Sequence, residues 1–468
     1  MVKRFINYFK NPAIVDMTVD RPIQKIIIFT LPLIIANLFQ QIYNMADIMI
    51  VGRYINTNAL ASVGVTSPII QLLIGLVIGL TNGISLVTAR YYGTKNVTMT
   101  QKSVINGFYI IIFISILMTI LGFLLSNSLL KLIHTSEDLL EGALIYSSIL
   151  FAGAIATGIY NYEAAVLRAF GNSAIPLIFL IISSLLNIVL DLFFVLTLKM
   201  GIAGVAIATV LSQTVSCTLC FVYIKNNFKI LIFRKEDFQF SYSMISEQLK
   251  SGLPIAFFQS LLSISFFFTQ SALNTLGNNE VAAYTAAVKM DTLIMQILAA
   301  FGTAISTFTA QNYGNNAFDR IKNGMISCLK ITISISIFIS LIVHFYSRYF
   351  MILFVGNKAD EVINLGVLYI QFTSIFYVIL GINFVIRFVL IGVGQVSIPL
   401  GIGILEIILR AFSTYFFIYP LGFIGMVYSN PLCWGISTLL ILFLYSYLIK
   451  QAFNKKFADS IKHIKIDT

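Results

Sequence analysis

One apolar stretch long enough to cross a bilayer follows another along this chain, with only short polar breaks between them. A spanning helix needs about 20 mostly apolar residues, so this succession decides the solvent before any motif is considered. Of the 468 residues, 58% are hydrophobic and 10% charged, against about 25% charged in a soluble domain. The mean hydropathy is +0.91. Nearly the whole chain therefore belongs in the membrane, as an all-α integral membrane protein.

Polar, Gly and Pro positions divide it into twelve expected transmembrane helices, near 23–53, 60–89, 103–133, 138–168, 174–198, 201–224, 246–275, 280–311, 323–349, 361–389, 397–417 and 422–449. Several exceed the minimum span and are expected to tilt or kink. Lys and Arg in short loops collect on the cytoplasmic side. Starting inside, the inner segments hold Arg90, Lys95, Lys102, Arg168, Lys225, Lys229, Arg234, Lys235, Lys250, Arg320, Lys322, Lys450, Lys455, Lys456, Lys462 and Lys465, whereas the outer loops hold Arg53, Lys131, Lys199, Arg348 and Lys358. The asymmetry predicts an even number of helices and both termini in the cytoplasm. The net charge of +11 follows this topology and is not gathered on one face as a nucleic-acid reader would need, so no nucleic-acid partner is expected.

The chain repeats itself. Leu31-Pro32 returns as Leu253-Pro254, Ala89 with Tyr92-Gly93 as Ala310 with Tyr313-Gly314, Gly171 with Pro176 as Gly394 with Pro399, and Gly201 with Gly204 as Gly422 with Gly425. The offsets stay between 221 and 223 residues. Two halves with six helices each share one orientation and are expected as lobes related by a pseudo-twofold axis along the membrane normal, enclosing a central cleft. The expected organisation is a cytoplasmic amphipathic leader at 1–22, a first lobe at 23–224, a cytoplasmic linker at 225–245, a second lobe at 246–449 and a basic cytoplasmic tail at 450–468. The leader, with Lys3, Arg4, Lys10 and Arg21, has no apolar core or cleavage site and is not a signal peptide.

Ionisable side chains inside hydrocarbon cost about 2.5–3.5 kcal/mol each even on a lenient scale. Those expected well inside helices are Asp47, Glu163, Asp191, Lys289, Asp291, Arg387, Glu406 and Arg410. Asp47 and Asp191 fall in the outer halves of two helices running the same way, about 9 and 11 Å below their outer ends. Asn187 shares the face of Asp191 four residues on, and Thr209 reaches the same level from the following helix. Two carboxylates, an amide carbonyl and a hydroxyl are the oxygen-rich set a hard cation prefers. Without Na⁺ or a shared proton the two acids would repel. The plainer alternative is that these groups only brace helices.

Lys289 and Asp291, two apart, do not face each other; with Gln259 they are candidates for a substrate cleft, or else members of interhelical ion pairs. Arg387 is placed to snorkel, Arg410 to pair with Glu406 at i and i+4, and Glu163 to pair near the inner end of helix 4. Cys217, Cys220, Cys328 and Cys433 sit in apolar segments as small hydrophobes, with no disulfide or zinc site expected. His134, His344 and His463 lie near helix ends or in the tail, without acidic partners, so no catalytic constellation is assembled.

Met45-Ala46-Asp47-Ile48-Met49-Ile50-Val51-Gly52 and Leu60-Ala61-Ser62-Val63-Gly64 resemble the first two helices of the multidrug and toxic compound extrusion (MATE) family. Arg168-Ala169-Phe170-Gly171-Asn172 up to Pro176 resembles its loop between helices 4 and 5, and Ala282-Ala283-Tyr284-Thr285-Ala286 up to Gln311-Asn312-Tyr313-Gly314 its eighth helix. The resemblance implies that Asp47, Asn187, Asp191 and Thr209 form the cation site of the first lobe, as in the DinF-like branch. The NorM-like branch carries further acids on helices 7 and 10. Here helix 7 offers Gln259 and Gln270, and helix 10 only Glu361 at its mouth.

The expectation is a monomeric, Na⁺- or H⁺-coupled antiporter in a bacterial plasma membrane. It would export small cationic or amphipathic organic compounds, with membrane lipid around it and no cofactor beyond the transported ion. The rivals are a flippase for lipid-linked saccharide and, less favoured, a membrane-embedded enzyme.

Overall fold

Breaks marked by Gly, Pro or polar residues become helix ends because there the backbone can leave the helix or a side chain can cap it. Asn56 and Asn96 do the latter, each accepting from the backbone N–H three residues on, at Ala59 and Met99. The computed structural model describes residues 15–133, 135–357 and 359–464. Lys3, Arg4, Lys10, His134, Lys358 and Lys465 of the sequence reading, and most of the leader, lie outside the described residues.

The helices are α1 Pro22–Tyr54, α2 Thr57–Gly93, α3 Val97–Leu132, α4 Glu137–Ala152, α5 Ala154–Ala169, α6 Ala174–Leu192, α7 Gly201–Asn227 and α8 Tyr242–Leu273. There follow α9 Asn278–Gly314, α10 Phe318–Phe345, the short α11 Ser347–Val355, α12 Asp360–Ile375, α13 Tyr377–Gly392, α14 Ser397–Ser413, α15 Tyr419–Leu421 and α16 Phe423–Ile464. Among the described residues, nine helical rods are long and apolar enough to cross a membrane, and two bent pairs, α4–α5 and α12–α13, raise the number to eleven. With α8, which is 32 residues long, the segments match the twelve expected from the sequence.

The bends were not visible in the apolar pattern. α4 and α5 meet at 50° around Gly153, and α12 and α13 at 49° around Phe376. A Cβ on Gly153 would come within 2.4 Å of Val210 Cγ2, so the missing side chain lets α7 pack against the bend. A single π-helical turn follows α6 at Phe193–Thr197 and another follows α14 at Thr414–Ile418.

These irregularities repeat with the sequence. The π turns are 221 residues apart and the bends 223. Left-handed φ recurs at Lys95 and Asn316, Gly171 and Gly394, and Gly201 and Gly422. The duplication is thus one of backbone conformation as well as of residue type.

Contacts divide the chain into two compact units, the first made of residues 1–263, 299–324 and 392–394, the second of 264–298, 325–391 and 395–468. In the first, one apolar cluster gathers Leu80, Ile84, Val104, Ile111, Val166 and Phe170, and a second gathers Val51, Tyr146, Val195 and Val205. Here α2 presses on the start of α8: a Cβ on Gly83 would lie 2.2 Å from Gly252 Cα, and one on Gly79 2.3 Å from Ala256 Cα. In the second unit the core is built on Ala287, Ile294, Leu298, Tyr369, Tyr377 and Trp434.

Candidate functional site

α6 and α7 form a helical hairpin in the first unit, and α1 packs on α6. This arrangement brings Asp47 of α1, Asn187 and Asp191 of α6, and Thr209 of α7 to one place. Asn187 and Asp191 are fully buried, whereas Asp47 and Thr209 are half-buried.

Asn187 joins the group. In the orientation that satisfies both ends of its amide, Nδ2 donates to Asp47 Oδ1 at 2.9 Å and to Asp191 Oδ2 at 3.2 Å, while its oxygen accepts from the Thr209 backbone N–H at 3.2 Å. Turned over, the amide donates to Thr209 Oγ1 at 3.4 Å and presents its oxygen to the acids. The two carboxyl groups also lie within hydrogen-bonding range of each other. Asp191 Oδ1 is buried and accepts from no donor among the described residues, leaving one oxygen with capacity for a proton or cation. The π turn begins two residues after Asp191, as such turns often do at functional sites.

Asp47 and Thr209 line a cavity of about 230 Å³ together with Tyr43, Tyr146, Thr157 and Gln213. Tyr43 donates to Thr209 Oγ1 at 3.5 Å. The cavity wall is otherwise mostly apolar, with Ile70, Ile74, Val77, Met118 and Phe151, while Asp191 and Asn187 stand behind it. The site therefore has an outer acid open to the cavity and an inner acid sealed in protein, bridged by one amide.

The family model for MatE matches residues 32–193 and, a second time, residues 254–416. The chain belongs to the MATE family. The double match follows the internal repeat. Similar to this MATE chain are two Bacillus subtilis proteins, the probable multidrug resistance protein YpnP, 26% identical over 80% of this chain and 83% of its own length, and the probable multidrug resistance protein YoeA, 26% identical over 91% and 93%. A solved outward-facing structure of a multidrug resistance MATE transporter superposes with a TM-score of 0.87 at 23% identity, covering 93% of this chain and 98% of the other. A transporter of the MOP superfamily from Pyrococcus furiosus superposes with a TM-score of 0.85 at 24% identity, covering 92% and 98%. The fold is shared with both of these transporters.

Of the residues proposed for a substrate cleft, Gln259 belongs to the first compact unit and Lys289 and Asp291 to the second. Lys289 is exposed and Gln259 half-buried, while Asp291 is only 2% exposed. Asp291 is enclosed within the second unit. Tyr369 donates to its Oδ2 at 2.7 Å and Tyr377 to its Oδ1 at 2.8 Å. The cause is the two-residue spacing of Lys289 and Asp291, which sends one side chain outward and the other into the core. Glu406 pairs with Arg387, and Arg410 donates to Asn430 Oδ1 at 2.8 Å. Glu361 accepts from Asn279 at an exposed helix start, and Glu163 is buried against Cys217. The four cysteines are free. Sequence reading missed the ring of partners around Asp291, whose only prior signal was its cost in the bilayer.

Proposed function

We propose that this MATE protein exports small cationic or amphipathic organic compounds across a bacterial plasma membrane in exchange for Na⁺ or H⁺. The ion occupies the Asp47–Asn187–Asp191–Thr209 cluster, and transport proceeds by alternating access of the two lobes. The observation that carries the reading is the amide of Asn187 bridging two acids from separate spans at the wall of a largely apolar cavity. An ion-binding site drives transport only through different affinities in two states. Two acids and an amide, on two spans that meet only by packing, supply such a difference whenever α1 moves against α6.

The two orientations of Asn187 suit the two ions. With Nδ2 toward the acids, the amide holds a pair that shares one proton. With its oxygen toward them, Asp47, Asp191 and Asn187 present an all-oxygen set for Na⁺, while its Nδ2 rests on Thr209 Oγ1. Cargo reaches the cavity beside Asp47, whose charge attracts cations, while the aromatic and aliphatic wall accepts varied apolar bodies. The names of the Bacillus relatives support a drug-like cargo.

The test is dye efflux from proteoliposomes under separately imposed Na⁺ and pH gradients. Asp47→Asn and Asp191→Asn should insert and fold yet lose gradient-driven efflux; full activity in both variants would refute the assignment.

A further inference from the structure

We propose that Arg410 is a tethered counter-cation that fills the second lobe's counterpart of the coupling site, so that this lobe holds no exchangeable ion. The inference rests on the reading of the Asp47 cluster as the ion site.

The correspondence runs through the repeat. Tyr146, in the wall beside Asp47, has its equivalent in Tyr369 at the 223-residue offset, and Thr209 has its equivalent in Asn430 at 221. Counted from the helix start, Asn187 is the fourteenth residue of α6 and Arg410 the fourteenth of α14; they stand six and four residues ahead of the π turns. Where the first lobe places an amide and leaves room for a mobile charge, the second places a guanidinium.

The groups around Asp291 are arranged for that fixed charge. Tyr369 and Tyr377 donate to its two oxygens at 2.7 and 2.8 Å, and Asn430 Nδ2 reaches Oδ2 at 3.5 Å and Tyr369 Oη at 2.6 Å. The Asn430 oxygen accepts from Arg410 Nη1 at 2.8 Å, which sets the guanidinium one amide away from Asp291. Tyr284, on the same helix as Asp291, packs edge-on to Tyr369 with ring centres 5.3 Å apart. The acid is thus faced by tyrosines from α9, α12 and α13, the arginine of α14 and the asparagine of α16. A buried carboxylate needs a positive partner in low dielectric, and a covalently attached one does not leave. Remove Arg410, and Asp291, its two phenols and the Asn430 oxygen are left without the guanidinium's charge, the surroundings in which a small cation or a proton would take the vacated role.

The experiment follows the thermal unfolding of the purified full-length protein as Na⁺ concentration and pH are varied. Wild type should show a cation-dependent shift that Asp47→Asn loses, that Asp47→Asn/Arg410→Met regains, and that adding Asp291→Asn removes again. Arg410→Lys in the Asp47→Asn background should stay indifferent, because its charge is retained, whereas a purely structural role for the arginine would not bring back a cation response in the methionine variant. A folded Asp47→Asn/Arg410→Met protein indifferent to both ions would overturn the proposal, as would a response that survives Asp47→Asn but vanishes with Asp291→Asn alone. If the methionine variant does not fold, Arg410→Gln, which can still donate to Asn430, decides by the same criterion. No response in wild type but a gained one in the arginine variant would count against the Asp47 reading and for this one.

Discussion

Each half of the molecule buries an acid beside a tyrosine and an amide, yet the two sites are finished differently. In the first, Asp47 and Asp191 are clamped by Asn187, and one carboxylate oxygen of Asp191 is left without a donor. In the second, both oxygens of Asp291 are taken by phenols and a guanidinium stands one amide away. The second acid also receives its phenols from both sides of the bend at Phe376, so it ties α12 to α13 across a 49° break. On the repeated framework, the fourteenth residue of the helix before each π turn is an amide in the first half and a guanidinium in the second.

The comparison breaks first at its largest contrast. Asp47→Asn and Asp191→Asn should lower gradient-driven efflux by about 5- to 150-fold, the range set by a coupling free energy of about 1–3 kcal/mol. Asp291→Asn should leave the ion dependence of efflux unaltered. Equal losses in all three, measured in the same vesicles, would erase the distinction. Next comes stability: Arg410→Met strands a buried carboxylate and should cost about 3–5 kcal/mol, read from denaturant unfolding in detergent, and much of that cost should disappear in Asp291→Asn/Arg410→Met. Tyr377→Phe removes one charge-assisted hydrogen bond across the bend and should cost about 1.5–3 kcal/mol with little change in ion dependence. The smallest effect belongs to Thr209→Ala, which deletes one neutral oxygen from the first site. It should weaken the apparent ion affinity by roughly 1 kcal/mol, or about fivefold, without altering the maximal rate.

How far these features were legible in the sequence differs between the lobes for a physical reason. Helix ends followed from punctuation, as at Gly171, Gly201 and Asn56, where the backbone turns or a side chain caps. The convergence of Asp47, Asn187 and Asp191 was legible from depth, because the two acids lie on spans of the same direction and Asn187 is one turn from its acid. Around Asp291 the partners are 78, 86 and 139 residues away, on spans whose rotation no periodicity reveals. The bend that brings Tyr369 and Tyr377 to one acid falls between Gly366 and Gly381, where no Gly, Pro or charged residue marks it. Arg410 was expected to meet Glu406 on its own helix; Glu406 is paired with Arg387 from α13, and Arg410 donates to Asn430.

The most direct measurement is ion movement counted against substrate movement in the same proteoliposomes. Wild type should carry Na⁺ or H⁺ inward as substrate leaves, while Asp47→Asn and Asp191→Asn should exchange substrate across the membrane with no accompanying ion. Ion flux at the wild-type ratio in either variant would contradict a transporter driven from the first-lobe acids.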